Sequence, residues 1–186
     1  MKLEKPRISA VPASEWSAEQ QEIMAPMMRG EGVGPANVFG TLVGFPKLMK
    51  RWIVFANHCL FKSSLSARDR ELVILRTAWL AQSEYEWAQH VVIGKREGVT
   101  DEELLLLREP KGGTSQHWSA AEVAAIVATD ELMADVFISD PTWAALKSVY
   151  SEEQIVDLIF LVGQYRGLAG ALNSLGVQLD DGLKGF

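Results

Sequence analysis

Glu86 and His90, in the stretch SEYEWAQH over residues 83–90, stand four residues apart. On a helix that spacing puts both side chains on one face. A carboxylate beside an imidazole can hold it in one tautomer and bring its pKa toward neutrality, as a general acid or base requires. The same spacing also serves an ordinary ion pair or a hydrogen-bonded core histidine. Ser83 adds a second ambiguity. A serine followed three residues later by a glutamate is a capping box that starts a helix, and a helix start favours an anion at its free N–H groups.

Upstream, SARDRELVILRTAWL gathers Arg68, Arg70, Glu71 and Arg76 on an otherwise apolar segment. A carboxylate there either pairs with an arginine or is aimed into a cavity. Arg76 interrupts two apolar runs, so it suits neutralising a buried carboxylate or forking onto a substrate carboxylate. Metal binding fits poorly. The histidines at 58, 90 and 117 follow no HxH or HExxH spacing, and Cys59 is the lone cysteine. No cofactor motif is visible either: the glycines of GEGVGPANVFG lack the GK[ST] of a phosphate loop, and Pro35, Ala36 and Asn37 read as a helix cap.

These residues need helices to position them. Capping boxes recur at Ser17/Gln20, Ser83/Glu86, Thr100/Glu103, Ser119/Glu122 and Ser151/Gln154, each ahead of apolar residues spaced three and four apart. The pattern predicts an all-α fold with helices near 17–29, 46–62, 66–81, 83–97, 100–107, 119–135, 141–148 and 151–175. Turn-rich linkers fall at GEGVGP, EPKGGTSQ and ISDP, and DDGLKGF reads as a tail. A faint echo links LSARDRELVILRTAWLAQSEYEWAQH and YSEEQIVDLIFLVGQYRGLAGALNS. Both offer a capped start, an apolar helix, a break and a second helix, compatible with two degenerate repeats.

The 186 residues suit one domain, divided here into an N-terminal arm and first helix (1–34), a helical domain (35–180) and the tail (181–186). With 18 basic and 24 acidic residues the net charge is −6, which disfavours nucleic acid and anionic membranes as partners. The start, MKLEKPRISAVP, carries no apolar signal region, and the longest apolar runs contain a charge or are too short for a bilayer, so a cytoplasmic protein is expected.

The segment RDRELVILRTAWLAQSEYEWAQHVVIGKREGVTDEEL resembles the core of the carboxymuconolactone decarboxylase family, within the alkylhydroperoxidase D-like superfamily. The resemblance extends through NVFGTLVGFPKLMKRW, ATDELMADVFISDPTWAAL and LIFLVGQYRGLAGALNSLGVQL, roughly residues 35–180. It implies an alkylhydroperoxidase D-like helical bundle that assembles as a homo-oligomer, a trimer or a hexamer, with no cofactor.

In the family's peroxidase branch a glutamate is followed by a CxxC pair and a histidine. The matching positions here are Glu71, Ser83, Glu86 and His90, so both cysteines are replaced. A hydroxyl and a carboxylate cannot act as the thiolate carrier, which disfavours thiol peroxidase chemistry. The branch without cysteines implies acid/base work on a small anionic substrate, a carboxylated lactone or dienoate of aromatic catabolism. Decarboxylation leads, with cis–trans isomerisation or hydrolysis as the alternative. In that reading His90, Glu86 and Glu71 are catalytic, and Arg76, Ser83, Tyr85 and Asn37 bind substrate. A non-catalytic oligomeric module is the competing class.

Overall fold

A computed structural model describes residues 3–25, 36–112 and 116–186. Among them no strand occurs, and the helices are α1 (Ala18–Met24), α2 (Asn37–Leu42), α3 (Pro46–Asn57), α4 (Ala67–Leu80), α5 (Glu84–Arg96), α6 (Asp101–Leu106), α7 (Ala120–Asp135), α8 (Asp140–Val149) and α9 (Glu152–Leu175). A π-helical turn, His58–Lys62, continues α3. The expected helices appear close to their predicted bounds. Linker GEGVGP, part of EPKGGTSQ and the end of the first predicted helix lie outside the described residues. The short α2 is an addition: its apolar residues are too few to show a period, and it is fixed by burial of Val38 and Leu42.

The capping chemistry explains most boundaries. Ser17, Thr100, Ser119 and Ser151 each accept the N3 backbone N–H, and the N3 side chain returns the bond to the cap N–H. Ser83 departs from the expectation, because its hydroxyl makes no capping bond. The α4–α5 connection is built from the backbone instead. Ser83 N–H donates to Ala78 O at 2.9 Å, Gln82 adopts the left-handed conformation with φ 52°, and Asn173 Nδ2 of α9 donates to Ala81 O at 3.2 Å and Gln82 O at 3.3 Å. A left-handed non-glycine costs about 1–2 kcal/mol. Here a neighbouring helix supplies partners that hold it.

Helix α4 is the axis of the bundle. Every residue from Glu71 to Ala78 is buried, as expected of a helix surrounded by others. On one side Val73 and Ile74 pack with Ala125, Leu158 and Leu161; on the other Leu72 and Leu75 pack with Trp87, Leu107 and Ile126. A third cluster joins Trp16 and Met24 of the N-terminal region to Leu42, Met49, Tyr85 and Leu172. The expected tail is docked: the Phe186 ring meets Trp79 edge-on at 4.9 Å between centroids.

The repeat reading does not survive. Residues 152–175 form one continuous helix, whereas the first copy folds as two helices around Gln82. Gly163 and Gly167, inside that segment, face open space and do not interrupt the helix. Helix α9 is also long and apolar enough to cross a bilayer by composition, contrary to the reading that no run is. Its Ile155, Leu158, Leu161, Val162, Tyr165, Ala169 and Leu172 are instead buried within the bundle.

Candidate active site

The close packing of α4 against α5 sets the site. Gly94 of α5 sits where a Cβ would come within 3.2 Å of the Leu75 side chain, so the two helices approach closely. Across that contact Glu71 Oε2 lies 2.6 Å from His90 Nδ1. Glu71 is fully buried, and its other oxygen accepts from Arg70 Nε at 3.2 Å. A carboxylate can only accept, so Nδ1 carries the proton in this pair and Nε2 is left to act elsewhere. The Tyr165 ring of α9 stands edge-on to the imidazole, 4.9 Å between centroids, and fixes its plane. The partner of His90 is therefore Glu71, from the neighbouring helix, and not Glu86 one turn earlier.

Glu86 is the anomaly. It is 2% exposed, and neither carboxyl oxygen has a hydrogen-bond partner. Unsatisfied buried carboxylates are costly, so the group stays protonated. Burial pushes it up to about 8, with the nearby Ser83 hydroxyl pulling weakly the other way though not at hydrogen-bond geometry. At neutral pH Glu86 is thus mainly a carboxylic acid. A protonated carboxyl beside an imidazole whose Nε2 is free is the equipment of a general acid and a general base.

Both groups face a cavity of about 870 Å³. Its floor is polar and buried, formed by Glu86, His90, Tyr85 and Tyr165, with Gln89 and Gln164 beside them. Its walls are apolar, from Val38 and Phe39 of α2, Trp52 and Ile53 of α3, and Leu168 of α9. Phe61, His58 and Lys62 of the π-helical turn stand at the exposed mouth. The volume and the mix of an apolar wall with a few convergent polar groups match small-molecule sites. Burial, then the charges of Glu71 and Glu86, push the Tyr165 phenol well above its ordinary range, so it stays neutral.

The other candidate residues fall elsewhere. Arg76 is 1% exposed and does not line the cavity. Its Nε and Nη2 grip Asp130 at 2.5 and 3.0 Å, and Nη1 donates to Leu107 O and Glu109 O at 2.6 and 2.8 Å. Every guanidinium nitrogen is engaged, which ties α4 to α7 and to the chain after α6 and leaves no fork for a substrate. Ser83 is fully buried behind the floor. Asn37 donates to Gln178 O and Leu179 O, and its N–H donates to Asp180 Oδ1 at 2.7 Å. Tyr85 does line the cavity, but its hydroxyl donates to Asp180 Oδ2 at 2.9 Å and accepts from Val38 N at 3.1 Å. Asn37, Tyr85 and Gln89 thus meet at one C-terminal carboxylate, a wall brace with no obvious trace in sequence spacing.

Sequence reasoning also passed over Tyr165, Gln164, Gln89, Trp52 and Lys62. They come from helices far apart in the chain, and the usable signal was the polar Gln–Tyr pair inside the apolar run of α9. Cys59 is buried and does not line the cavity, and its thiol is pushed up to about 11 by burial and then by Asp157, so it is not a thiolate at neutral pH. Among the described residues no cluster of three His, Cys, Asp or Glu side chains is arranged to hold a metal.

Residues 46–131 match the model of the carboxymuconolactone decarboxylase family. No curated protein matches the sequence. Solved structures share the fold at low identity. A debrominase, Bmp8, solved as a cysteine-to-alanine variant with 2,3,4-tribromopyrrole, superposes with a TM-score of 0.77 at 15% identity, covering 96% of this chain and 94% of that one. An uncharacterised peroxidase-related protein with an alkylhydroperoxidase core, from Ralstonia eutropha, gives 0.76 at 17% identity over 94% and 93%. A protein of unknown function from Agrobacterium tumefaciens, assigned to antioxidant defence, gives 0.68 at 17% identity over 75% and 94%. Over residues 46–131 the chain is thus similar to the carboxymuconolactone decarboxylase family, with Ser83 and Glu86 at the two cysteine positions of the peroxidase motif, and it folds as an alkylhydroperoxidase D-like helical bundle.

Proposed function

We propose that this protein is an acid/base enzyme for a carboxylated lactone or dienoate from aromatic catabolism, acting as a carboxymuconolactone decarboxylase-like lyase. The observation that carries the reading is the unpartnered Glu86 carboxyl beside the Glu71-held His90 on the floor of the cavity. A buried carboxyl with no partner is destabilising unless something that enters the cavity satisfies it. The debrominase of the same fold binds a flat halogenated pyrrole, which supports a planar ligand here.

In the decarboxylation the bond to the carboxylate carbon breaks and carbon dioxide leaves. Its electron pair moves through the conjugated system onto the carbonyl oxygen. The Glu86 acid donates a hydrogen bond to that developing oxyanion, and His90, having taken a proton from solvent at Nε2, delivers it to carbon and returns to the neutral imidazole. Glu71, paired to Nδ1, stabilises the imidazolium before transfer. In the alternative, a cis–trans isomerase, His90 removes and returns a proton with the same oxyanion support and no carbon is lost. Protomers of a homo-oligomer, in the cytoplasm, complete the reading.

The test is turnover across a panel of carboxylated lactones and dienoates, followed by ultraviolet absorbance and carbon dioxide release. His90→Ala and Glu86→Gln are each expected to lower turnover at least 10²-fold, the scale of a lost acid/base group, with helicity unchanged. Wild-type rates in both variants would remove this pair from the chemistry.

A further inference from the structure

The floor of the cavity holds two carboxyl groups, Glu86 and, behind His90, Glu71, and among the described residues no arginine lines it. The floor therefore offers a substrate carboxylate hydrogen-bond donors but, among the described residues, no permanent cation. The mouth differs. Among the described residues lining the cavity, Lys62 is the one permanently charged cation, it is exposed, and it enters no ion pair. The acidic residue at that end, Asp157, is already committed. It accepts from Ser64 N and Oγ at 2.6 and 2.7 Å and pairs with His58 Nε2 at 3.0 Å. The His58–Lys62 turn is therefore pinned to α9, with Lys62 left free. Lysine also ends this turn, where the helix C-terminus favours a cation, and that bland role leaves its charge available to a ligand.

The distance between mouth and floor follows from α9. Asp157 fixes the mouth and Tyr165 touches His90, eight residues further along the helix. At 1.5 Å per residue they are separated by about 12 Å along the axis. A lysine side chain reaches inward by several ångströms, which leaves room for a ring or two conjugated double bonds. The walls between are flat and aromatic, Phe39 and Trp52 on one side and Phe61 at the rim.

We propose that Lys62 seats the carboxylate of a planar, conjugated organic acid whose body lies along Trp52 and whose far end meets Glu86 and His90. This specificity role rests on the acid/base reading of that floor. It orients the substrate by a carboxylate that the reaction retains, held toward solvent, with the group that reacts in the buried end.

The test uses trans-cinnamate and trans-cinnamyl alcohol, an anion and a neutral molecule of the same shape, titrated calorimetrically into the full-length protein at pH 7. Wild type is expected to bind cinnamate about tenfold more tightly than the alcohol. Lys62→Met is expected to weaken cinnamate about five- to tenfold and leave the alcohol within twofold, the scale of one exposed charge pair. Lys62→Arg is expected to restore the preference. Equal binding of the two probes by wild type, or a preference that persists in Lys62→Met, overturns the seat while leaving the acid/base reading intact. Preference for the anion combined with full turnover in His90→Ala and Glu86→Gln sinks the acid/base reading and leaves the seat. Binding of neither probe sinks both.

Discussion

Helices α5 and α6 begin with the same sequence signal and put it to opposite uses. At the start of α6, Thr100 and Glu103 close a complete capping box. The Glu103 carboxylate is 4% exposed but saturated: it accepts from Thr100 N, from Arg68 Nη1 at 3.2 Å and Nη2, and from His117 Nε2 at 3.1 Å. Burial pushes its pKa up, and Arg68, Thr100 and His117 together outweigh that and hold it below the ordinary carboxylate range. At the start of α5, Glu86 is as deeply buried and has no partner, and burial raises it to about 8. One glutamate is neutralised by neighbours and stabilises the fold. The other is left unsatisfied beside a cavity, a stability cost of the kind functional sites carry.

This contrast makes charge removal act in opposite senses at the two sites, with the largest effect at α5. Glu86→Gln removes a group whose folded pKa lies above its unfolded value. Its proton is bound more tightly in the folded state, so its contribution is favourable below about pH 4.5 and is lost as pH rises toward 8. The variant is therefore expected to be more stable than wild type by about 2–4 kcal/mol at pH 8, with the gain shrinking toward pH 5. Chemical denaturation across that range measures it, and a gain independent of pH would break the assignment.

Glu103→Gln is expected to move the other way, losing about 1–2 kcal/mol at pH 7, a value kept modest because Arg68 is 31% exposed and solvent screens the pair. Its loss should diminish as pH falls below about 4, where the wild-type carboxylate also protonates. Equal and like-signed shifts in the two glutamine variants would erase the comparison.

The smallest effect separates the caps. Thr100→Ala removes an accepted N–H bond and is expected to cost about 1 kcal/mol. Ser83→Ala removes a hydroxyl with no capping bond and is expected to change stability by less than about 0.5 kcal/mol. Thermal melts of the two variants side by side resolve the difference.

Much of the architecture was legible in the residues. The three-and-four apolar spacing, with complete capping boxes at α6, α7 and α9, placed the ends of α4 to α9 nearly to the residue, because local hydrogen bonds and periodic burial are encoded locally. The Glu71, Glu86 and His90 set was also readable, through its match to the family motif. The pairing inside that set was not. Spacing favoured Glu86 as the partner of His90, and the geometry gave Glu71, because the turn held at Gln82 brings α4 and α5 face to face. Arg76 shows the same limit: an arginine in an apolar run signals a buried ion pair or a substrate fork, and only its meeting with Asp130 and the carbonyls after α6 shows which contacts it makes. The echo between the two apolar segments failed for a related reason, since α9 has no left-handed residue to break it.

What the sequence determined by itself is the helical class, the family motif and the absence of thiols at residues 83 and 86. These depend on residue type and short-range spacing. The tertiary structure decided which glutamate is satisfied and which is not, which wall faces the cavity, and where a cation stands at its mouth. Those are properties of helices packed across long stretches of chain. A carboxyl's protonation follows from how many donors and how much water surround it, and at Glu86 and Glu103 the same capping signal led to different surroundings.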